Sequence, residues 1–151
     1  MLSDEATQIL DAARRVLAGE PAGLAPAGLS ERIIETPWVA SHFKGGERVL
    51  DIGFTMSSLD YLGLLLELRR TRRVSIDAVD IVKPERVARR YPEEWLDEVL
   101  ATPITIGDVR TLDLPRDAFD VVTCISTIEH IGFDEATYND PATAFARSAT
   151  P

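Results

Sequence analysis

Three carboxylates stand at comparable places in this chain. Asp51 follows Val49-Leu50, Asp80 closes the run Val74-Ser-Ile-Asp-Ala-Val-Asp80, and Asp108 closes Ile104-Thr-Ile-Gly-Asp108. Runs rich in valine and isoleucine favour strands. If these strands lie parallel and side by side, their acids line one edge of a sheet, where doubly wound folds bind ligands. Asp80 comes 29 positions after Asp51, the span of one strand-helix-strand unit of roughly 30 residues. It then sits at the tip of the neighbouring strand, where a carboxylate accepts hydrogen bonds from both hydroxyls of a ribose. Acids at strand ends also cap turns and solvate loops; the repeated placement favours a nucleoside ligand.

The residues after Gly53 narrow the choice of nucleoside. A pyrophosphate-binding turn needs G-x-G-x-x-G so that backbone can approach the phosphates, whereas Gly53 is followed by Phe54, Thr55, Met56, Ser57 and Ser58. NAD is therefore disfavoured. S-adenosylmethionine has no phosphate, and its ammonium and cationic sulfur suit a loop with Asp51 beside it. Two isolated histidines and one cysteine offer no metal-ligand spacing. For proton transfer the candidate is His130, since imidazole titrates near ~6.5; local polar packing of Glu129-His130 is the competing reading. His42 reads as structural.

These residues need a scaffold of alternating strands and helices. Residues 4–18 carry Ile9, Leu10, Ala13, Val16 and Leu17 at helical spacing, with Gly19 as a stop. A second helix is expected after Ser30 as N-cap, ending at Pro37. Trp38 favours core packing over a role as cofactor cover. Ser57-x-x-Asp60 has the spacing of a capping box, and residues 61–68 are apolar almost all round. Arg69, Arg70, Arg72 and Arg73 then read as solvated cations favoured by the helix dipole. Residues 83–100 read as helical, broken near Pro92, with Trp95 in the core. Strands are expected at 104–106 and 119–125, Cys124 reads as a buried thiol, and Asp134-Glu135 opens a further helix. The pattern predicts an α/β fold with a parallel sheet and right-handed crossovers. It divides into an N-terminal helical segment, residues 1–45, and a Rossmann-like domain, residues 46–151.

Taken together, Val49-Leu-Asp-Ile-Gly53, Val79-Asp80, Gly107-Asp108-Val109 and Phe119-Asp-Val-Val-Thr-Cys-Ile-Ser-Thr-Ile-Glu-His130 resemble the motifs of class I S-adenosylmethionine-dependent methyltransferases, in order and over positions 47–132. The resemblance implies a cofactor site. Asp51, Gly53 and the adjoining Phe54 would line the methionine portion, Asp80 would bind the ribose, and Ile81 would pack on the adenine. Asp108 would accept from the adenine amino group beside Val109, and Ser126 would face the transferred methyl. For Ile81 and Val109 simple core packing is the alternative. Motif I of that family carries two or three glycines and its sheet seven strands, against one glycine and four strands here. The resemblance thus implies the first four strands of a methyltransferase-type three-layer sandwich, C-terminally incomplete.

Composition bounds the partners. At 151 residues, 45% hydrophobic and 27% charged, the chain has the make-up of one globular domain. A net charge of −9 repels nucleic-acid backbones, so a small-molecule methyl acceptor is expected. The N-terminal acids are unlike a signal peptide, and the leucine run near residues 62–66 is too short for a membrane. With a lone cysteine no intrachain disulfide can form, and a reducing cytoplasm is expected. Two alternatives stand beside the methyltransferase reading: a non-catalytic or degenerate binding domain that self-associates through an open sheet edge, and an NAD-dependent or nucleotide-sugar enzyme on the same sheet.

Overall fold

The β-branched runs do form neighbouring strands. The structure, a computed structural model, describes residues 2–21, 23 and 28–132. Its elements are α1 (Asp4–Leu17), α2 (Arg32–Ala40), β1 (Arg48–Ile52), α3 (Leu59–Arg72), β2 (Ser75–Asp80), α4 (Glu93–Leu100), β3 (Ile104–Ile106) and β4 (Val121–Thr123). Single 3₁₀ segments cover Phe54–Met56, Pro84–Arg90 and Ile128–His130. The sheet order is β3-β2-β1-β4, and each adjacent pair is parallel. This is the expected Rossmann-like α/β arrangement with N-terminal helices. The helix expected beyond Gly132 lies outside the described residues.

Register separates the two faces of the sheet. Asp51 pairs with Ala78 and with Thr123, and Val49 with Ile76 and Val121, so these residues share a face. It meets α3, whose Tyr61, Leu62, Leu64, Leu65, Leu66 and Leu68 are all buried in one cluster with Val49, Ile76 and Ala78. Each buried leucine contributes roughly 2–3 kcal/mol, so α3 anchors the domain by burial on nearly every side. Gly63 makes that possible: a Cβ there would lie 2.7 Å from Trp95 Cη2 and 3.0 Å from Leu10 Cδ2. Both α1 and α4 press on α3 at this point. Trp95 is thus core, as expected, and α1 begins at the Ser3 cap.

Several local expectations fail for physical reasons. Pro37 does not end α2 but lies buried inside it. Its packing outweighs the one hydrogen bond its ring forgoes. Ser30 is not the cap; its N–H donates to Glu5 Oε1 at 2.8 Å. Trp38 is 62% exposed rather than core and tilts against the His42 ring with centroids 4.4 Å apart. The four arginines are not simply solvated. Arg69 donates to the Glu98 carbonyl and Thr102 Oγ1, Arg70 forks onto Glu98, and Arg72 reaches the Leu17 carbonyl. Only Arg73, exposed at φ +57°, keeps the expected character. Residues 84–90 are 3₁₀ rather than α, kinked at Val87, and β4 is shorter than residues 119–125. Cys124 is half-buried, with burial pushing its thiol pKa up, which disfavours a thiolate.

Candidate functional site

The parallel sheet brings the exits of β1, β2, β3 and β4 to one edge, and each carries polar residues. Asp51, near the end of β1, is inaccessible to solvent. Its Oδ2 accepts hydrogen bonds from Tyr61 Oη and Thr123 Oγ1, both at 2.7 Å. Burial raises its pKa to about 6 despite these two donors, and the Asp80 charge adds to the rise. Burial also pushes the Tyr61 hydroxyl well above its usual pKa, so it stays a donor. Among the described residues, four buried side-chain oxygens lack a hydrogen-bond partner. Three of them, Asp51 Oδ1, Thr55 Oγ1 and Ser58 Oγ, fall between residues 51 and 58. Unpaired buried polar atoms are costly, and their concentration at one strand exit marks a place suited to a polar ligand.

The loop from Gly53 to Ser58 turns from β1 into α3. Gly53 has φ +93°, and a Cβ on it would fall 2.2 Å from Thr127 Oγ1 and 2.6 Å from Thr127 Cγ2. The residue is glycine because the β4 exit packs directly on it. Phe54 is buried in the core cluster. The expected capping box does not form: Ser57 Oγ donates to the Gly53 carbonyl, and Asp60 Oδ2 accepts from Thr36 Oγ1 at 2.8 Å. That bond ties α2 to the start of α3. The helix still starts where expected, because burial and the dipole at its N-terminus favour it with Asp60 in the first turn.

Asp80 ends β2 with 6% exposure. Its Oδ2 accepts from the Thr55 N–H at 2.8 Å and its Oδ1 from the Val82 N–H at 2.9 Å. Each oxygen keeps a further lone pair. Ile81 is 74% exposed, which excludes the core-packing alternative and leaves an apolar side chain at the sheet edge. Asp108 is also beyond its strand, but Arg110 forks onto both its oxygens and adds a backbone N–H. That guanidinium holds the carboxyl at about 2. Val109 is half-buried next to it. Asp120, before β4, likewise has a partner, accepting from the Arg48 N–H. At the β4 exit Ser126 has φ +46°, and His130 is exposed, its Nε2 4.0 Å from Glu129 Oε1.

Three residues of this edge carry no local sequence signal. Arg90 donates to the carbonyls of Thr55 and Ser57, Tyr91 Oη donates to the Thr55 carbonyl, and Thr127 covers Gly53. They meet the loop across 35, 36 and 74 positions of chain, and only the fold unites them. Among the described residues no group of histidine, cysteine and acidic side chains is arranged to hold a metal. No helix there is long and apolar enough to cross a membrane.

The residues fit a cationic nucleoside better than a phosphorylated one. Asp51 offers an unpartnered carboxylate oxygen, Asp80 a second carboxylate, and Ile81 an apolar surface, with no second glycine for close approach of a phosphate. Comparison with known proteins agrees in kind: the methyltransferase domain family matches residues 50–150. No curated protein and no solved structure matches the chain. With its motif acids at successive exits of a β3-β2-β1-β4 parallel sheet, the chain belongs to the methyltransferase domain family, whose architecture here is that of the class I S-adenosylmethionine-dependent enzymes.

Proposed function

We propose that the chain binds S-adenosylmethionine and methylates a small-molecule acceptor. The observation that carries the reading is the set of unpartnered polar oxygens of residues 51–58 facing no protein donor, within two residues of Gly53 or on the start of α3. When bound, the cofactor supplies a methyl group made electrophilic by its sulfonium. Asp51 Oδ1 suits the ammonium of its amino-acid portion, and Gly53 with the backbone of Phe54 lines the same portion. Asp80 holds the ribose hydroxyls on its remaining lone pairs, and Ile81 lies against the adenine. Asp108 and Val109 mark the far side of the base, with Asp108 shared between the ligand and Arg110. Ser126 borders the methyl. The protein's contribution is then alignment and exclusion of water rather than acid–base work. His130 takes a proton only from an acceptor that carries one.

In the proposed site the Thr127 side chain packs on Gly53. That contact is also the one observation favouring the alternative of a degenerate scaffold. Calorimetric titration with S-adenosylhomocysteine separates the two. Saturable binding, weakened by ~1–3 kcal/mol in Asp80→Asn through loss of charge-assisted hydrogen bonds, supports the enzyme reading. A folded wild-type chain that takes up no ligand supports the scaffold. A thermal shift with NAD alone instead would point to the third reading. The −9 charge supports a small acceptor over nucleic acid, and methyl transfer to a panel of small oxygen, nitrogen and carbon nucleophiles tests that choice.

A further inference from the structure

The loop between β1 and α3 is shaped from outside itself. In a glycine-rich turn, freedom of φ lets the backbone take the required path; here only Gly53 has a positive φ between residues 53 and 58. Thr55, inside the loop, has both backbone groups engaged by the segment that follows β2. Its N–H donates to Asp80 Oδ2 at 2.8 Å. Its carbonyl accepts from Arg90 Nη1 at 2.5 Å and from Tyr91 Oη at 2.8 Å. The other arm of the same guanidinium, Nη2, donates to the Ser57 carbonyl at 2.8 Å. Arg90 is half-buried, and its guanidinium carbon lies 5.7 Å from the centre of the Tyr91 ring. A planar fork spanning two carbonyls two residues apart fixes their separation and orientation, which a single ammonium cannot do.

On the reading that this loop receives the cofactor, we propose that Arg90 is a positioning residue: its fork, with Tyr91, gives the glycine-poor loop the shape that S-adenosylmethionine meets. The role is distinct from charge attraction to the ligand, because both arms of the guanidinium are already committed to backbone carbonyls. Arg90→Lys keeps the charge and removes the fork. Tyr91→Phe removes one of the three bonds and keeps the ring.

The test pairs S-adenosylhomocysteine calorimetry with backbone amide exchange on the wild-type chain, Arg90→Lys, Arg90→Ala and Tyr91→Phe. Both Arg90 variants are expected to bind about tenfold or more weakly and Tyr91→Phe about threefold, as two charge-assisted bonds or one neutral bond are lost. Amides of residues 54–58 are expected to exchange faster in the Arg90 variants while those of β2 keep their rates. Arg90→Lys also serves if Arg90→Ala does not fold. Wild-type affinity in Arg90→Lys, or unchanged exchange in the loop, overturns the positioning role. A wild-type chain that binds nothing overturns the cofactor half and the function reading together, and the exchange rates still decide whether the fork shapes the loop.

Discussion

The exits of β1 and β3 carry the same residue types in opposite physical states. At the first, Asp51 is sealed from solvent, its carboxyl raised to about 6 by burial. At the second, Asp108 is open to water and held at about 2 by the Arg110 fork. Each has a glycine beside it. Gly53 has φ +93° and lies against Thr127, whereas Gly107 has ordinary backbone and meets only the flexible end of Leu112, at 2.8 Å. Position along a strand thus fixes where an acid stands in the sheet, and the long-range neighbours decide what it can do there. The buried carboxylate keeps one oxygen without a hydrogen-bond partner, whereas the carboxylate at the β3 exit has both oxygens engaged by a guanidinium.

Substitution of the two glycines exposes the contrast most strongly. Gly53→Ala is expected to lose roughly 3 to 4 kcal/mol, combining a left-handed backbone with the overlap on Thr127, whereas Gly107→Ala should cost under about 1 kcal/mol. Denaturant midpoints of the two variants check this, and equal losses would erase the distinction.

The next effect is in pH dependence. Burial lifts the folded pKa of Asp51 from the ordinary 3.8 to about 6, so between these values the folded state binds more protons than the unfolded state. The resulting stability is present below about 4 and is lost as pH rises through about 6. Asp51→Asn lacks this loss, and its stability relative to wild type should therefore increase by up to about 3 kcal/mol between pH 4 and pH 7. Parallel stability profiles for the two proteins would show that Asp51 is not the buried acid described.

The smallest effect belongs to the β3 exit. Arg110→Ala should let the Asp108 carboxyl rise from about 2 toward 3.8 with no measurable change of stability at neutral pH, as usual for an exposed pair. Following the Asp108 side-chain carboxyl carbon by NMR through an acid titration reads this directly. A pKa that stays low would assign the depression to something other than Arg110.

Most of the scaffold was legible because hydrophobic period and strand-end acids are local signals. The run at residues 61–68 announces a buried helix, and residues 104–106 announce β3 by composition alone. Local rules failed where tertiary contact overrode them. Pro37 stays helical inside a packed interface, Asp60 bonds to Thr36 instead of closing a capping box, and the arginines of residues 69–72 are drawn onto α4 and α1. Asp51, Asp80 and Ile81 were visible as residues of the sheet edge from the end of a strand. Arg90, Tyr91 and Thr127 were not, since nothing within a few residues of them refers to the loop they contact.

The two tryptophans give the chain a built-in optical readout. Trp95, wedged against Gly63 and 7% exposed, should emit at short wavelength and shift to the red only when α3 and α4 part. Trp38 is 62% exposed, with the His42 ring 4.4 Å away, so its emission lies to the red of that from Trp95. Because Thr36, two residues before Trp38, is bonded to Asp60 at the start of α3, the second signal reports on the end of α3 that adjoins the loop of residues 53–58. A single emission spectrum therefore separates events in the core from events at the sheet edge without a label.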